Sequence, residues 1–137
     1  MHTCPGGDHD STHSADVDYV GLLPELFRLK VSRFYVRLAS EMDRRRVLTT
    51  IRDLLKPGQM LFGGVTDPIN RKIESPEGVR DRVLEAAEFI PLELPGPTDD
   101  CGFSPFADDT STSRDIAFAK IKSRVEGTAM ADKVLGG

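Results

Sequence analysis

Apolar residues recur along the chain with two spacings, and the spacing changes from one segment to the next. Helical spacing with one apolar face marks four segments. Between them lie short runs of branched and aromatic residues typical of strands, at Phe34–Leu38, Met60–Val65 and Thr98–Phe103, the last including its exit loop. The pattern therefore predicts the order helix, strand, helix, strand, helix, strand, helix.

Capping residues predict where these helices begin. Asp43 can cap the second helix, and Ser75–Glu77 combines a cap, a proline at the first helical position and an acid in the first turn. Ser111 or Ser113 can cap the last helix. Pro24 lies within the first helical segment and either weakens that helix or places its start later.

The alternation of helices and strands predicts right-handed crossovers and a parallel sheet, in one α/β domain covering residues 1–137. Functional residues of such folds lie at the carboxyl ends of the strands. Polar groups follow each predicted strand, at Ser40–Asp43, Thr66–Pro68 and Cys101–Gly102. Residues 1–16 have no apolar period and are expected to form a loop. If the start of this loop also followed a strand, all these exits would converge on one rim.

The composition is that of an ordinary globular domain, with 39% hydrophobic residues, 29% charged residues and a net charge of −4. No basic block is long enough to track a phosphate backbone, so nucleic-acid binding is not expected. No apolar run approaches the roughly 20 residues of a membrane span, and the polar start of the chain does not resemble a signal peptide. We therefore expect a cytoplasmic protein without a membrane partner.

The chain contains two cysteines, and both have neighbours that suggest metal chemistry. His2 and Cys4 place an imidazole and a thiolate on one segment, and Cys101 supplies a second thiolate. Glu41 or Asp43 could supply a carboxylate. Zinc accepts such donors, with three protein ligands and an open position in many catalytic sites. Because there is no CxxC knuckle, the spacing alone leaves two unrelated thiols as an equal alternative.

Four stretches of the sequence resemble the C-terminal part of the cobalamin-independent methionine synthase family, and most closely its shorter single-barrel members. They read HTCPGGD, LASEMD, GGVTDPINRKIESPEGVRDRVLEAAEFIP and DDCGFSPF. The resemblance covers nearly the whole chain. It implies the C-terminal half of a (β/α)8 barrel of the TIM type, with zinc at the rim.

The resemblance also implies roles for individual residues. It gives four zinc ligands, which are His2, Cys4, Glu41 and Cys101. The acidic ligand of the long family members aligns with Leu38, so Glu41 lies a few residues later and Asp43 stays open as the alternative. The family's proton-transfer histidine is missing from Thr66–Asn70, where Asp67 is the candidate catalytic group that could orient the substrate.

The family activity is methyl transfer to a thiol, which is homocysteine in the parent enzyme or a similar thiol, from methyltetrahydrofolate or another donor. A free thiol has a pKa of about 8.5, and coordination by zinc deprotonates it. The upstream half of the barrel is missing from these 137 residues, so we expect the isolated chain to be inactive, or to need a partner half or self-association. The alternative is a non-catalytic remnant or interaction module derived from such a barrel.

Overall fold

The computed structural model describes residues 1–3, 18–91, 95–104, 110 and 112–136. Within these ranges helices and strands alternate, as the apolar pattern predicts. The elements in chain order are β1 His2–Thr3, α1 Tyr19–Arg28, β2 Arg33–Val36, α2 Arg44–Leu54, β3 Met60–Thr66, α3 Pro76–Ala87, β4 Pro95–Asp99 and α4 Arg114–Leu135.

The described strands form one parallel sheet in the order β1-β2-β3-β4, which confirms the expected α/β fold. The register places four residues in one row across this sheet, namely His2, Tyr35, Phe62 and Gly96. Paired residues of a parallel sheet project from the same face, so this row lies on one side. The rings of Tyr35 and Phe62 stack there, with centroids 4.6 Å apart.

The helix starts follow the predicted caps. Asp43 and Ser75 cap α2 and α3, each accepting a main-chain N–H three residues later. Ser113 caps α4, and the alternative cap Ser111 lies outside the described residues. Pro24 lies inside α1, so it neither breaks the helix nor delays its start. Local side-chain chemistry thus decides these boundaries, and packing tolerates the proline.

Two strands differ from the sequence prediction. His2–Thr3, expected as part of a loop over 1–16, forms β1 and pairs in parallel with β2. A strand of two residues has no alternation that a sequence pattern could reveal, and its pairing with β2 supplies the order. β4 begins at Pro95 rather than at Thr98. The prolines of this segment predict a loop, because proline has no N–H to donate to a neighbouring strand. Proline is tolerated in a strand at the edge of a sheet, which is where β4 lies.

The hydrophobic core lies between the sheet and the first two helices. Leu23 and Phe27 of α1 and Leu48 and Ile51 of α2 are at most 1% exposed. The ring of Phe27 stacks on that of Phe34 from β2, with centroids 4.3 Å apart. Burial of one such side chain contributes about 1.5–3 kcal/mol. Because Phe34 belongs to β2, this core holds the strand that leads to the β2 exit.

The second helix pair, α3 and α4, packs against the other half of the sheet. A Cβ at Gly127 would lie 2.5 Å from the Pro76 carbonyl oxygen, so glycine permits this close helix contact. Lys120 of α4 is fully buried and donates to Glu74 Oε2 at 2.9 Å. In the part of the chain that the structure describes, no helix is long and apolar enough to cross a membrane.

Candidate functional site at the strand exits

Asp100, directly after β4, ties the exit of that strand to the exit of β2. Its buried carboxylate accepts the main-chain N–H groups of Leu38, Ala39 and Ser40 at 2.8, 2.8 and 2.9 Å. It also accepts the hydroxyl of Ser40 at 2.8 Å. Since β3 lies between β2 and β4, the contact reaches across one strand of the sheet. The structure therefore brings together two of the predicted exits.

A glycine pair in β3 makes this contact possible. A Cβ at Gly64 would lie 1.6 Å from Asp100 Oδ1 and 3.1 Å from the Leu38 nitrogen. A Cβ at Gly63 would lie 2.8 Å from Leu38 Cδ1. Real Cβ atoms do not approach neighbours this closely, so a side chain at position 64 would displace the carboxylate. The glycines serve close packing at this point of the sheet.

Burial also disfavours the ionised form of Asp100. Desolvation raises the pKa of its carboxyl above the ordinary value, and the donors from Ala39, Leu38 and Ser40 oppose that rise. The same donors determine where the chain leaves β4, one residue before the partly buried Cys101. Asp100 thus holds the loop after β2, and it directly precedes Cys101 in the chain.

Arg44, at the start of α2, braces the same loop from the other side. Its Nη1 donates to the Leu38 carbonyl oxygen at 2.7 Å, and its Nε donates to Glu85 Oε2 at 2.7 Å. Only 12% of its side chain is exposed. A run of three arginines is typical of a solvated helix face. Arg44 nevertheless lies inward, because it donates to the carbonyl oxygen of Leu38 at the β2 exit. Arg45 and Arg46 stay more than half exposed.

The β1 exit is held by a tyrosine of α1. The hydroxyl groups of Thr3 and Tyr19 lie 2.6 Å apart, and Tyr19 also donates to the Thr3 carbonyl oxygen at 3.2 Å. Thr3 Oγ1 donates to the Tyr35 carbonyl oxygen at 3.3 Å. Burial raises the pKa of Tyr19 to about 12, so its phenol stays protonated and can donate. His2 is exposed beside these contacts, and Cys4 lies outside the described residues.

Both acids proposed as the fourth ligand have partners within the chain. Glu41 Oε1 accepts from Arg37, at 2.9 Å from Nε and also from Nη2, and the two side chains are 14% and 16% exposed. Asp43 Oδ1 accepts the Arg46 N–H at 2.9 Å as the cap of α2. Glu41 lies in the loop that Asp100 holds, whereas the carboxylate of Asp43 serves its helix.

Asp67 lies on the wall of a polar cavity of about 640 Å³ at the exits of β2 and β3. Ser40, Glu74 and Arg82 also line this cavity. Asp67 Oδ1 accepts the Ile69 N–H at 3.0 Å, and its own N–H donates to Glu74 Oε1 at 2.8 Å. These bonds set the shape of the loop after β3 and hold one carboxylate oxygen of Asp67 in place. The cavity adjoins the loop that Asp100 holds.

The described residues do not by themselves complete a metal site. Among them, no group of three or more histidine, cysteine or acidic side chains is arranged to hold a metal ion. The set His2, Cys4, Glu41 and Cys101 therefore stays a prediction. Sequence reasoning missed the linking residues Asp100 and Tyr19. The sequence did contain a signal for Asp100 in the glycine pair of β3, because glycine inside a strand indicates that another group approaches closely.

Comparison with known proteins gives a relative over almost the full chain. A methionine synthase of Saccharolobus solfataricus is 36% identical over 138 aligned positions, which cover 98% of this chain and 35% of that protein. The resemblance of this chain to methionine synthases is thereby confirmed. No family model matches it.

A solved structure shares the fold of this chain. A B12-independent methionine synthase from a Shewanella species, in complex with selenomethionine, matches with a TM-score of 0.69 and 21% identity. The match covers 98% of this chain and 38% of that one. The four parallel strands with their helices are thus part of a TIM barrel. The chain spans just over a third of the length of both relatives.

Proposed function

We propose that the chain carries the thiol-activating part of a zinc-dependent S-methyltransferase related to methionine synthase, acting in the cytoplasm. The observation that carries this proposal is the bonding of the β4 exit to the β2 exit through Asp100. That contact lies at the edge of the sheet where the carboxyl ends of the parallel strands meet, including that of β1. The relationship to methionine synthases supports the same class of reaction.

The proposed donors fit zinc by their chemistry. Zinc binds imidazole nitrogen, thiolate sulfur and carboxylate oxygen, and the set offers one imidazole, two thiolates and one carboxylate. His2 is exposed as the first residue of β1, and Cys101 directly follows Asp100, which holds the loop after β2. Cys4 belongs to the set because of its sequence motif.

We assign Glu41, rather than Asp43, as the acidic ligand. The Asp43 carboxylate caps α2, and its removal from the Arg46 N–H would cost about 0.5–2 kcal/mol. The Glu41 carboxylate does not cap a helix, and it bonds instead to the Arg37 side chain. Outer partners of this kind orient metal ligands, so Arg37 can continue to bind Glu41 while the carboxylate serves the metal.

The chain's own residues would divide the work around this group. When bound, zinc keeps a substrate thiol ionised near neutral pH. Asp100 holds the loop after β2 and the position of Cys101, and Asp67 offers a carboxylate on the cavity wall that can orient an amino group of the thiol substrate. The substrate sulfur then bonds to the methyl carbon while the carbon–nitrogen bond of a methyl-folate donor breaks, and that nitrogen takes up a proton.

The second candidate is a non-catalytic remnant or interaction module of the same barrel. One observation favours it, which is that Glu41 is already paired with Arg37 inside the chain. A carboxylate with an internal cation has less to gain from a metal. This candidate predicts no stoichiometric zinc and no response to thiols.

Metal content separates the two candidates. Protein purified without a metal-affinity tag should contain about one zinc per chain by elemental analysis, as expected for one site. Cys4→Ser, Cys101→Ser and His2→Ala should each lower that content. His13→Ala is the matched control for His2→Ala, because His13 belongs to neither cysteine motif. Zinc content near zero in the unaltered chain would refute the methyltransferase proposal.

Thiol binding separates a catalytic site from a structural one. In protein loaded with Co²⁺ as a spectroscopic substitute, added homocysteine should increase the sulfur-to-metal charge-transfer absorption, because a catalytic site keeps an open position. Serine, which has a hydroxyl in place of the thiol, is the control ligand. An unchanged spectrum with homocysteine would contradict the proposed thiol activation.

A further inference from the structure

Thr3 lies between the two proposed ligands of the His-x-Cys segment, and its side chain is anchored to two other elements. The hydroxyl of Tyr19 from α1 lies 2.6 Å from Thr3 Oγ1, and the carbonyl oxygen of Tyr35 from β2 lies 3.3 Å from it. Each of the two hydroxyls carries a single proton, and either can be the donor of the contact between them. The segment is thereby held on both sides.

The Tyr19 ring has a further contact that links it to the β2 exit. The Arg37 guanidinium lies 5.6 Å from the centre of the Tyr19 ring. The same guanidinium binds Glu41. Tyr19 therefore contacts Thr3, which adjoins two proposed ligands in the sequence, and Arg37, which binds Glu41.

We propose that Tyr19 is a positioning residue for the metal site, holding Thr3 so that His2, the proposed ligand directly before it, keeps its place at the rim. This inference rests on the proposed function. The ring and the hydroxyl of Tyr19 have separate roles. The ring is 5% exposed and packs in the core, while the hydroxyl reaches the β1 exit. Tyr19→Phe therefore removes the hydrogen bond and leaves the packing in place.

Metal affinity tests this role. Zinc dissociation constants, measured by competition with a chromophoric chelator, should rise roughly tenfold in Tyr19→Phe, the lower end of the range for residues that orient metal ligands. Thr3→Val should weaken binding at least as much, and Thr3→Ser, which keeps the hydroxyl, should restore it. Thr50→Val is the matched control, because that hydroxyl bonds only within α2.

A double variant shows whether the two side chains act through one contact. Tyr19→Phe should weaken zinc binding less in the Thr3→Val chain than in the unaltered chain, since the shared hydroxyl contact is already gone. Fully additive effects would overturn the inference. If Tyr19→Phe does not fold, the comparison of Thr3→Val with Thr3→Ser decides in its place.

The outcomes distinguish this inference from the proposed function. Absence of stoichiometric zinc from the unaltered chain would overturn both. Tight zinc binding in the unaltered chain, with an unchanged dissociation constant in Tyr19→Phe, would overturn only the role of Tyr19. A lower unfolding temperature with unchanged zinc affinity would also overturn it, since a purely structural hydroxyl gives that result. Weaker zinc binding restored by Thr3→Ser supports the role.

Discussion

Replacement of Gly64 by alanine tests the contact on which the proposed site depends. The added Cβ would lie 1.6 Å from Asp100 Oδ1, 2.8 Å from Asp100 Cγ and 3.1 Å from the Leu38 nitrogen. The Leu38 main chain follows β2 by two residues and is held at its carbonyl oxygen by Arg44. The Asp100 carboxylate must therefore leave its position.

The magnitude follows from the hydrogen bonds that the carboxylate would lose. It accepts four, and a hydrogen bond to a charged group contributes about 1.5–3 kcal/mol. Loss of two leaves a buried charge with fewer donors and leaves main-chain N–H groups of residues 38–40 without an acceptor. We expect the free energy of unfolding to fall by about 3–5 kcal/mol, a large part of the 5–15 kcal/mol typical of a domain.

Urea unfolding followed by far-UV circular dichroism measures this change, since the chain has no tryptophan. Gly21→Ala is the matched control, because a Cβ there meets nothing within 4 Å and alanine favours the helix. In an Asp100→Ala chain, Gly64→Ala should cost much less, because the clashing carboxylate is absent. A small effect of Gly64→Ala that is the same in both backgrounds would refute the reasoning.

Two further variants test buried charges near the rim. The stability of the unaltered chain relative to Asp100→Asn should fall as the pH rises above the ordinary pKa of 3.8, because burial raises the pKa of Asp100 and ionisation then costs folding energy. Urea unfolding of both proteins from about pH 4 to pH 7 checks the sign. The free energy of unfolding of the unaltered chain minus that of Asp100→Asn should decrease as the pH rises, and an increase contradicts the reasoning. Lys120→Met should cost about 3–5 kcal/mol, because Glu74 loses its buried cation. Lys122→Met, at a side chain 75% exposed, is the control in thermal unfolding, and equal losses would contradict this reading.

Helix starts could be predicted from the sequence because capping is a local interaction. Asp43, Ser75 and Ser113 each accept an N–H three residues later, so a short window contains both partners. β1 could not be predicted in this way. His2–Thr3 gains its order from hydrogen bonds to β2, about thirty residues further along the chain.

The same distinction between local and long-range contacts applies to the candidate site. The motif predicted which residue types belong at the rim, but not the contacts that hold them. Asp100 accepts the Leu38 N–H across 62 positions of sequence, and no periodicity reports such a pair. Arg44 belongs to a run of three arginines, a pattern typical of a solvated face, but it bonds inward to the carbonyl oxygen of Leu38. Long-range polar satisfaction decided both outcomes, and it depends on the folded arrangement of the strands.

Arg37 joins the two linked parts of the rim into one arrangement. Its guanidinium stacks near the Tyr19 ring, which holds the β1 exit through Thr3, and it binds Glu41 after β2. Asp100 then ties that β2 exit to β4. Side chains already hold the described loops, so their positions do not require an ion. Structural zinc sites supply folding energy themselves, whereas catalytic ones bind in a prepared frame. The prepared rim therefore favours a catalytic role for the proposed metal over a structural one.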